Sequence, residues 1–244
     1  MSKFALPDEP LKLKALYHYS LKLYKYSFVS SIMYSLPACV LLFLPATLQN
    51  VFKISTDLYR IPCWCLASLL LLGLIYKLYC DAYQIPCSFK QAIGQALNRS
   101  IPIACLAILY AVVVLSATML LIVPGIILAF SLMFSFALAL TQNQSVLQTL
   151  INSHRLVWGH WWYSAIVISF PILVNLSLYF CLFIAFTLLP YHTISWQLST
   201  LIGFSWGLTL LLQTLIIPLT FSVACVLGHD LAQRTASPGW IMFR

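Results

Sequence analysis

Gly203-Phe204-Ser205-Trp206-Gly207 has the G-x-S-x-G spacing that presents a nucleophilic serine on a strand-to-helix elbow. Here the motif lies inside a long apolar run, where a helix is expected and an elbow is not. Two chemistries remain. A helix-borne Ser205 with His192 or His160 from another helix would make an intramembrane serine hydrolase. Alternatively, Gly203 and Gly207, four residues apart, form a small-residue packing face, and Ser205 is an ordinary membrane-helix residue. The packing face is the simpler expectation. The five histidines, His18, His154, His160, His192 and His229, contain no H-E-x-x-H pair. His154 and His160 flank Arg155 and Trp158, where hydrogen bonds to headgroups or backbone are expected before a metal site.

The eight cysteines divide by position. Cys39, Cys105, Cys181 and Cys225 fall in apolar runs and act as small hydrophobes. Cys63-Trp64-Cys65 sits near the outer end of one run, where an oxidising compartment could act on it; Cys80 and Cys87 belong to the reduced side. There is no C-x-x-C, phosphate loop or dinucleotide fingerprint, so no cofactor is expected. The acidic residues Asp8, Glu9, Asp57, Asp81 and Asp230 all lie outside the apolar cores, whereas proton-coupled carriers place ionisable groups inside them. Asn175 and Gln213 are the deepest amides. They read as hydrogen-bonding glue between helices, with a polar path as the alternative.

The elements that carry these residues follow from composition. Of 244 residues 62% are hydrophobic and 7% charged, with a mean hydropathy of +0.95. A water-soluble surface needs roughly a quarter of its residues charged. Disordered chains are poor in apolar residues, so disorder is excluded too. The expected fold is all-α, a polytopic transmembrane helical bundle. Six runs approach the ~20 residues that cross a bilayer: 27–48, 61–80, 101–123, 124–141, 161–189 and 195–226. The last two are overlong, and Pro171 and Pro218 are their natural kink points. This divides the chain into a basic amphipathic segment 1–26, a six-span domain 27–226 and a short tail 227–244. The first run is not expected to be a cleaved signal: hydrophilic and aromatic residues precede it, and it lacks a small-residue cleavage site. Leu36-Pro37-Ala38-Cys39 is not a lipoprotein box, because the apolar run continues past Cys39.

Eleven of the thirteen basic residues flank odd-numbered run starts or even-numbered run ends; only Lys53 and Arg60 lie on the other side. The positive-inside rule then places both termini in the cytoplasm. The net charge of +8 expresses this bias and calls for no nucleic-acid partner. Val123-Pro124-Gly125 leaves almost no loop between the third and fourth runs, and a tight turn at Pro124-Gly125 is expected. A short amphipathic segment precedes each pair of runs. Lys14, His18, Lys22 and Lys25 oppose Leu13, Leu16, Ser20 and Tyr24. Phe89, Ile93, Ala96 and Leu97 are backed by Lys90, Gln91, Asn98 and Arg99. Leu147, Leu150, Ile151, His154 and Trp158 are backed by Gln148, Asn152 and Arg155. The chain thus reads as three repeats of interfacial helix plus transmembrane hairpin.

Three stations, Ala92-Ile93-Gly94-Gln95-Ala96, Leu121-Ile122-Val123-Pro124-Gly125-Ile126-Ile127 and Ser153-His154-Arg155-Leu156-Val157-Trp158, resemble those of YciC-type bacterial inner-membrane proteins, an uncharacterised six-span family. The resemblance covers residues 87–173. It departs at 138–143, which are uncharged where the family often carries a Pro and a charged residue. It implies an inner-membrane location and six spans, and brings no reaction or substrate. The resulting expectation is a non-enzymatic inner-membrane protein that contacts lipid or scaffolds the envelope. Lys14, Lys22, Lys25, Lys90, Arg99 and Arg155 would face anionic headgroups of the cytoplasmic leaflet. Pro124, Gly125, Ser153, Trp158, Gly203 and Gly207 are the structural positions. A membrane-protein partner or a second copy fits as well. The alternatives are a transporter or channel for an apolar or amphiphilic solute along the last two runs, and the Ser205 hydrolase.

Overall fold

The computed structural model describes residues 6–7, 9–52, 57–187 and 197–235. Regular structure among them is helical: α1 (Leu13–Tyr26), α2 (Phe28–Phe52), α3 (Asp57–Ala82), α4 (Phe89–Asn98), α5 (Ser100–Leu120), α6 (Ile122–Leu132), α7 (Ser135–Thr141), α8 (Val146–Val157), α9 (Trp161–Thr187) and α10 (Gln197–Thr235). Six stretches are long and apolar enough to cross a membrane: Phe28–Pro45, Tyr59–Ala82, Ser100–Leu120, Ile122–Thr141, Trp161–Cys181 and Gly207–Thr235. Lys3, Asp8, Lys53, His192 and Arg244 lie outside the described residues.

The order of elements repeats three times. α1 precedes α2 and α3, α4 precedes α5 and the broken helix α6–α7, and α8 precedes α9 and α10. Two of the short helices start by the same device. Ser88 Oγ accepts from the Gln91 N–H while the Gln91 side chain accepts from the Ser88 N–H, a complete capping box; Ser145 Oγ accepts from the Gln148 N–H. α1 passes into α2 through the single residue Ser27, whose N–H still reaches the Leu23 carbonyl at 2.9 Å.

The turn between the third and fourth spans falls earlier than Pro124-Gly125. Leu121 is extended, with φ −157° and ψ 137°, and α6 begins at Ile122. The helix therefore runs through Pro124 and Gly125, and the hairpin survives because the reversal sits at Leu121. Pro124 is the third residue of α6, where its missing N–H leaves no helical bond unmade. Gly125 instead permits close approach. A Cβ there would collide with Thr118 Oγ1 and lie 2.8 Å from Thr118 Cα on the facing helix, so α5 and α6 touch backbone to backbone.

Three interruptions inside the spans, at Pro171, at Pro218 and between α6 and α7, are answered by hydroxyls from other helices. Pro171 offers no N–H to the Val167 carbonyl, which accepts from Tyr17 Oη at 2.9 Å. Pro218 likewise frees the Thr214 carbonyl, which accepts from Ser35 Oγ at 2.9 Å. At the break between α6 and α7, the Ser131 carbonyl accepts from Ser153 Oγ at 2.8 Å and the Ala129 carbonyl from Tyr110 Oη at 3.2 Å. In hydrocarbon no water can fill these vacancies, so each hydroxyl is worth keeping at the helix contact. Helices α9 and α10 run unbroken through their prolines.

α10 is the central helix, packed on α1, α2, α3, α8 and α9, and α5 is the most peripheral, with 11% of its span residues buried. Hydropathy ends the sixth span at Val226, yet α10 continues to Thr235. Val226, Leu227, Leu231 and Ala232 are buried with Leu16, Leu23, Tyr79 and Leu156 in the largest core cluster. The core thus sits at the end of the bundle that carries α1, α4 and α8.

Candidate functional site

This end is held shut by the last turns of α10. The buried Asp230 carboxylate accepts the Leu11 N–H through Oδ1 and pairs through Oδ2 with Arg234 Nε at 2.8 Å. Arg234 also donates to the Leu11 carbonyl at 2.6 Å, and its guanidinium lies 4.5 Å from the centre of the Tyr163 ring. Tyr163 Oη donates to the same carbonyl at 3.3 Å. One residue of the N-terminal segment is therefore gripped on both its backbone groups. Next to it, burial pushes the Tyr83 hydroxyl well above its ordinary range, with Cys225 adding to the effect, so it stays protonated and donates to His229 Nδ1 at 3.0 Å. That leaves Nε2–H to donate to the Pro7 carbonyl at 3.1 Å.

Two acids near this end, Asp81 and Asp230, are used internally, whereas Glu9 is exposed. Asp81 pairs with Lys77 at 2.7 Å, and Lys77 also donates to the Cys87 carbonyl at 3.1 Å, pinning the α3–α4 connection. Among the described residues Lys14, Lys22, Lys25, Lys90 and Arg155 are exposed and make no ion pair. α1 turns Leu16, Ser20 and Leu23 into the bundle, which leaves Lys14, His18, Lys22 and Lys25 outside. The packed residues differ from the expected stripe: Leu23 is buried, while Leu13 is 41% exposed. Arg99 is a different case. It is half-buried and donates to Asn143 Oδ1 at 2.6 Å, tying the α4–α5 junction to the segment between α7 and α8.

α8 has three faces rather than two. Thr149, Leu150, Ser153, Leu156 and Val157 are buried against the bundle. Leu147, Ile151 and Trp158 form an exposed apolar face, and Gln148 and Arg155 stand on an exposed polar one. The expected stripe of Leu147, Leu150, Ile151, His154 and Trp158 mixes the first two. Hydropathy misplaced the packing face because two of its members, Thr149 and Ser153, are polar. Arg155 points outward, not to a neighbouring helix terminus. Trp158 stacks near His154, with ring centres 4.9 Å apart, and Gly159 takes φ +91° to swing the chain into α9. Trp162 is exposed at the start of α9 while Trp161 is half-buried beside it.

The stations singled out in the sequence meet on one hairpin. Gln95 Nε2 donates to the Leu140 carbonyl at 3.1 Å, Gly125 abuts Thr118, and Ser153 caps Ser131. Gly203 and Ser205 fall in the first turns of α10, where only the backbone is described. Gly207 is exposed, and a Cβ on it would meet nothing within 4 Å, so among the described residues it packs against no helix. Gly125 and Gly73 do pack closely; a Cβ on Gly73 would come within 3.1 Å of the Tyr34 ring. Asn175 and Gln213 bond each other, amide to amide, at 3.2 Å in both directions across α9 and α10. The shared S-x-x-Q of 88–91 and 145–148 marks the starts of α4 and α8 and is the sequence signal that finds both. Comparison of the chain with protein-family models, with curated proteins and with solved structures finds no match.

Proposed function

We propose that this chain is a non-enzymatic integral protein of a bacterial inner membrane. In this reading both termini are cytoplasmic, and the end carrying α1, α4 and α8 lies against anionic headgroups. The observation that carries the proposal is charge without partners: Lys14, Lys22, Lys25, Lys90 and Arg155 are exposed while Asp81 and Asp230 are consumed by Lys77 and Arg234. Each such cation near an anionic surface gains about 1 kcal/mol. The three faces of α8 suit the same boundary: one to the bundle, one to acyl chains, one to headgroups. A protein of this kind organises lipid around itself or scaffolds other membrane proteins of the envelope. The transport reading fares less well, since Asn175 and Gln213 are bonded to each other across α9 and α10, as expected of hydrogen-bonding glue between helices.

Native mass spectrometry of gently extracted protein tests the proposal. Replacing Lys14, Lys22 and Lys25 with Gln should reduce the anionic phospholipid that accompanies the protein. Equal retention by the triple variant removes the headgroup role.

A further inference from the structure

A cavity of about 720 Å³ opens between α3, α5, α7 and α10. Its walls are apolar and include Leu72, Ala104, Ala107, Ala137 and Phe221. α3 packs on α2, α4 and α10, and α5 packs on α6, so the cavity fills the space where α3 and α5 face each other. Trp64 and Ala104, both exposed, mark its lateral mouth. Along α3 it reaches from Ile61 to Tyr79, eighteen residues or ~27 Å, nearly the depth of the hydrocarbon core. The hydroxyl of Ser68 on its wall donates to the Trp64 carbonyl at 2.8 Å, so its proton is used within α3. An apolar cavity stays dry, and one that opens sideways into a bilayer fills with hydrocarbon.

The two ends differ in charge. At the end near Tyr79, Ser100 lines the cavity and is preceded by Arg99, with exposed Lys90 on the adjoining α4. Asn143 takes one N–H of the Arg99 guanidinium, which leaves others for a phosphate. At the opposite end Arg60 precedes Ile61 and likewise donates one N–H, to Gln49 at 2.8 Å, but no second exposed cation stands beside it among the described residues, as Lys90 does near Arg99. We infer that the cavity binds one anionic phospholipid, with an acyl chain between α3 and α5 and its phosphate at Arg99. This rests on the lipid-contacting reading above and narrows it from a diffuse belt to a single built site.

The test uses full-length protein stripped of lipid and then offered phosphatidylglycerol and phosphatidylcholine in equal amounts, with native mass spectrometry as the readout. The wild type should retain one phosphatidylglycerol per chain. Ala107→Phe fills the middle of the cavity and Ala104→Phe its rim, and each should cut retention by about tenfold or more, a loss of the order of a well-placed apolar contact set. Arg99→Gln should reduce the preference for phosphatidylglycerol over phosphatidylcholine by about fivefold. Arg60→Gln should leave it unchanged. The Lys14, Lys22 and Lys25 triple variant should keep this one lipid, although the gently extracted triple variant carries less anionic phospholipid than the wild type, which separates failure of the cavity from failure of the basic belt. Retention at the wild-type level in a cavity-filled variant that elutes as a folded species overturns the inference. So does a preference that survives Arg99→Gln or disappears with Arg60→Gln.

Discussion

The Tyr17 hydroxyl lies 2.9 Å from the Val167 carbonyl, the one carbonyl of α9 that Pro171 leaves without its helical N–H. A proline in mid-membrane is tolerable when a neighbour supplies the missing donor. Tyr17→Phe should therefore destabilise the fold by about 1 kcal/mol, where membrane-protein values average ~0.6 and reach ~1.7. Pro171→Ala restores the N–H, so the cost of Tyr17→Phe should shrink in the Pro171→Ala background. Unfolding of the four proteins in a double-mutant cycle measures this. Strict additivity would mean that the hydroxyl and the proline are unrelated.

Gly125 and Gly207 make opposite demands. Gly125→Ala forces a methyl into Thr118 on the facing helix and should cost about 1–3 kcal/mol as overpacking. Gly207→Ala meets open space and should stay within about 0.5 kcal/mol of the wild type. Thermal unfolding in one detergent ranks the two. A costly Gly207→Ala and a neutral Gly125→Ala would invert the assignment of the packing glycines.

Asp230 holds the N-terminal segment to the end of α10. Its replacement by Ala strands Arg234 and frees the Leu11 N–H, and removal of one partner of a buried pair costs about 3–5 kcal/mol. Asp230→Asn keeps the shape and should act locally, raising the exchange rate of the Leu11 amide. Hydrogen exchange resolved to that residue gives the answer. Unchanged protection in Asp230→Asn would show that the clamp is not what holds Leu11.

Hydropathy located all six spans, because a bilayer demands a length of apolar helix that soluble packing does not. The faces were less legible. Ser20, Ser35, Thr149 and Ser153 are polar on any scale and yet buried in the bundle. Ser35 and Ser153 donate to carbonyls that a proline or a helix break has freed, 179 and 22 residues away. No local periodicity carries such a partnership. Pro171 and Pro218 stood out as breakers, but not the hydroxyls on α1 and α2 that answer them. The G-x-x-x-G spacing at Gly203 and Gly207 was the visible signal and Gly125 the contact, since spacing alone does not say which face meets a neighbour. The basic residues of the site were legible because charge is rare here. Only the pairing of Asp81 and Asp230 shows which cations remain free.

Both termini should lie on the basic side of the membrane. A reporter active only in the cytoplasm, fused after Arg244, should be active, and the same reporter inserted after Lys53 should be silent. The reverse pattern would set the exposed lysines against the outer leaflet and remove the reason for their attraction to anionic lipid.

The most direct measurement of the central claim is lipid selectivity in vesicles of phosphatidylcholine containing spin-labelled phosphatidylglycerol or spin-labelled phosphatidylcholine, read at low and at high salt. Attraction of exposed cations to headgroups is screened over about 10 Å at 0.1 M salt, so it must weaken as salt rises. The wild type should immobilise the anionic label in preference to the zwitterionic one, less so at high salt. The variant with Gln at positions 14, 22 and 25 should show a smaller preference with a flatter salt dependence. Equal immobilisation of the two labels by the wild type, or the same salt-insensitive preference in wild type and variant, would contradict the basic end as a lipid-contacting surface.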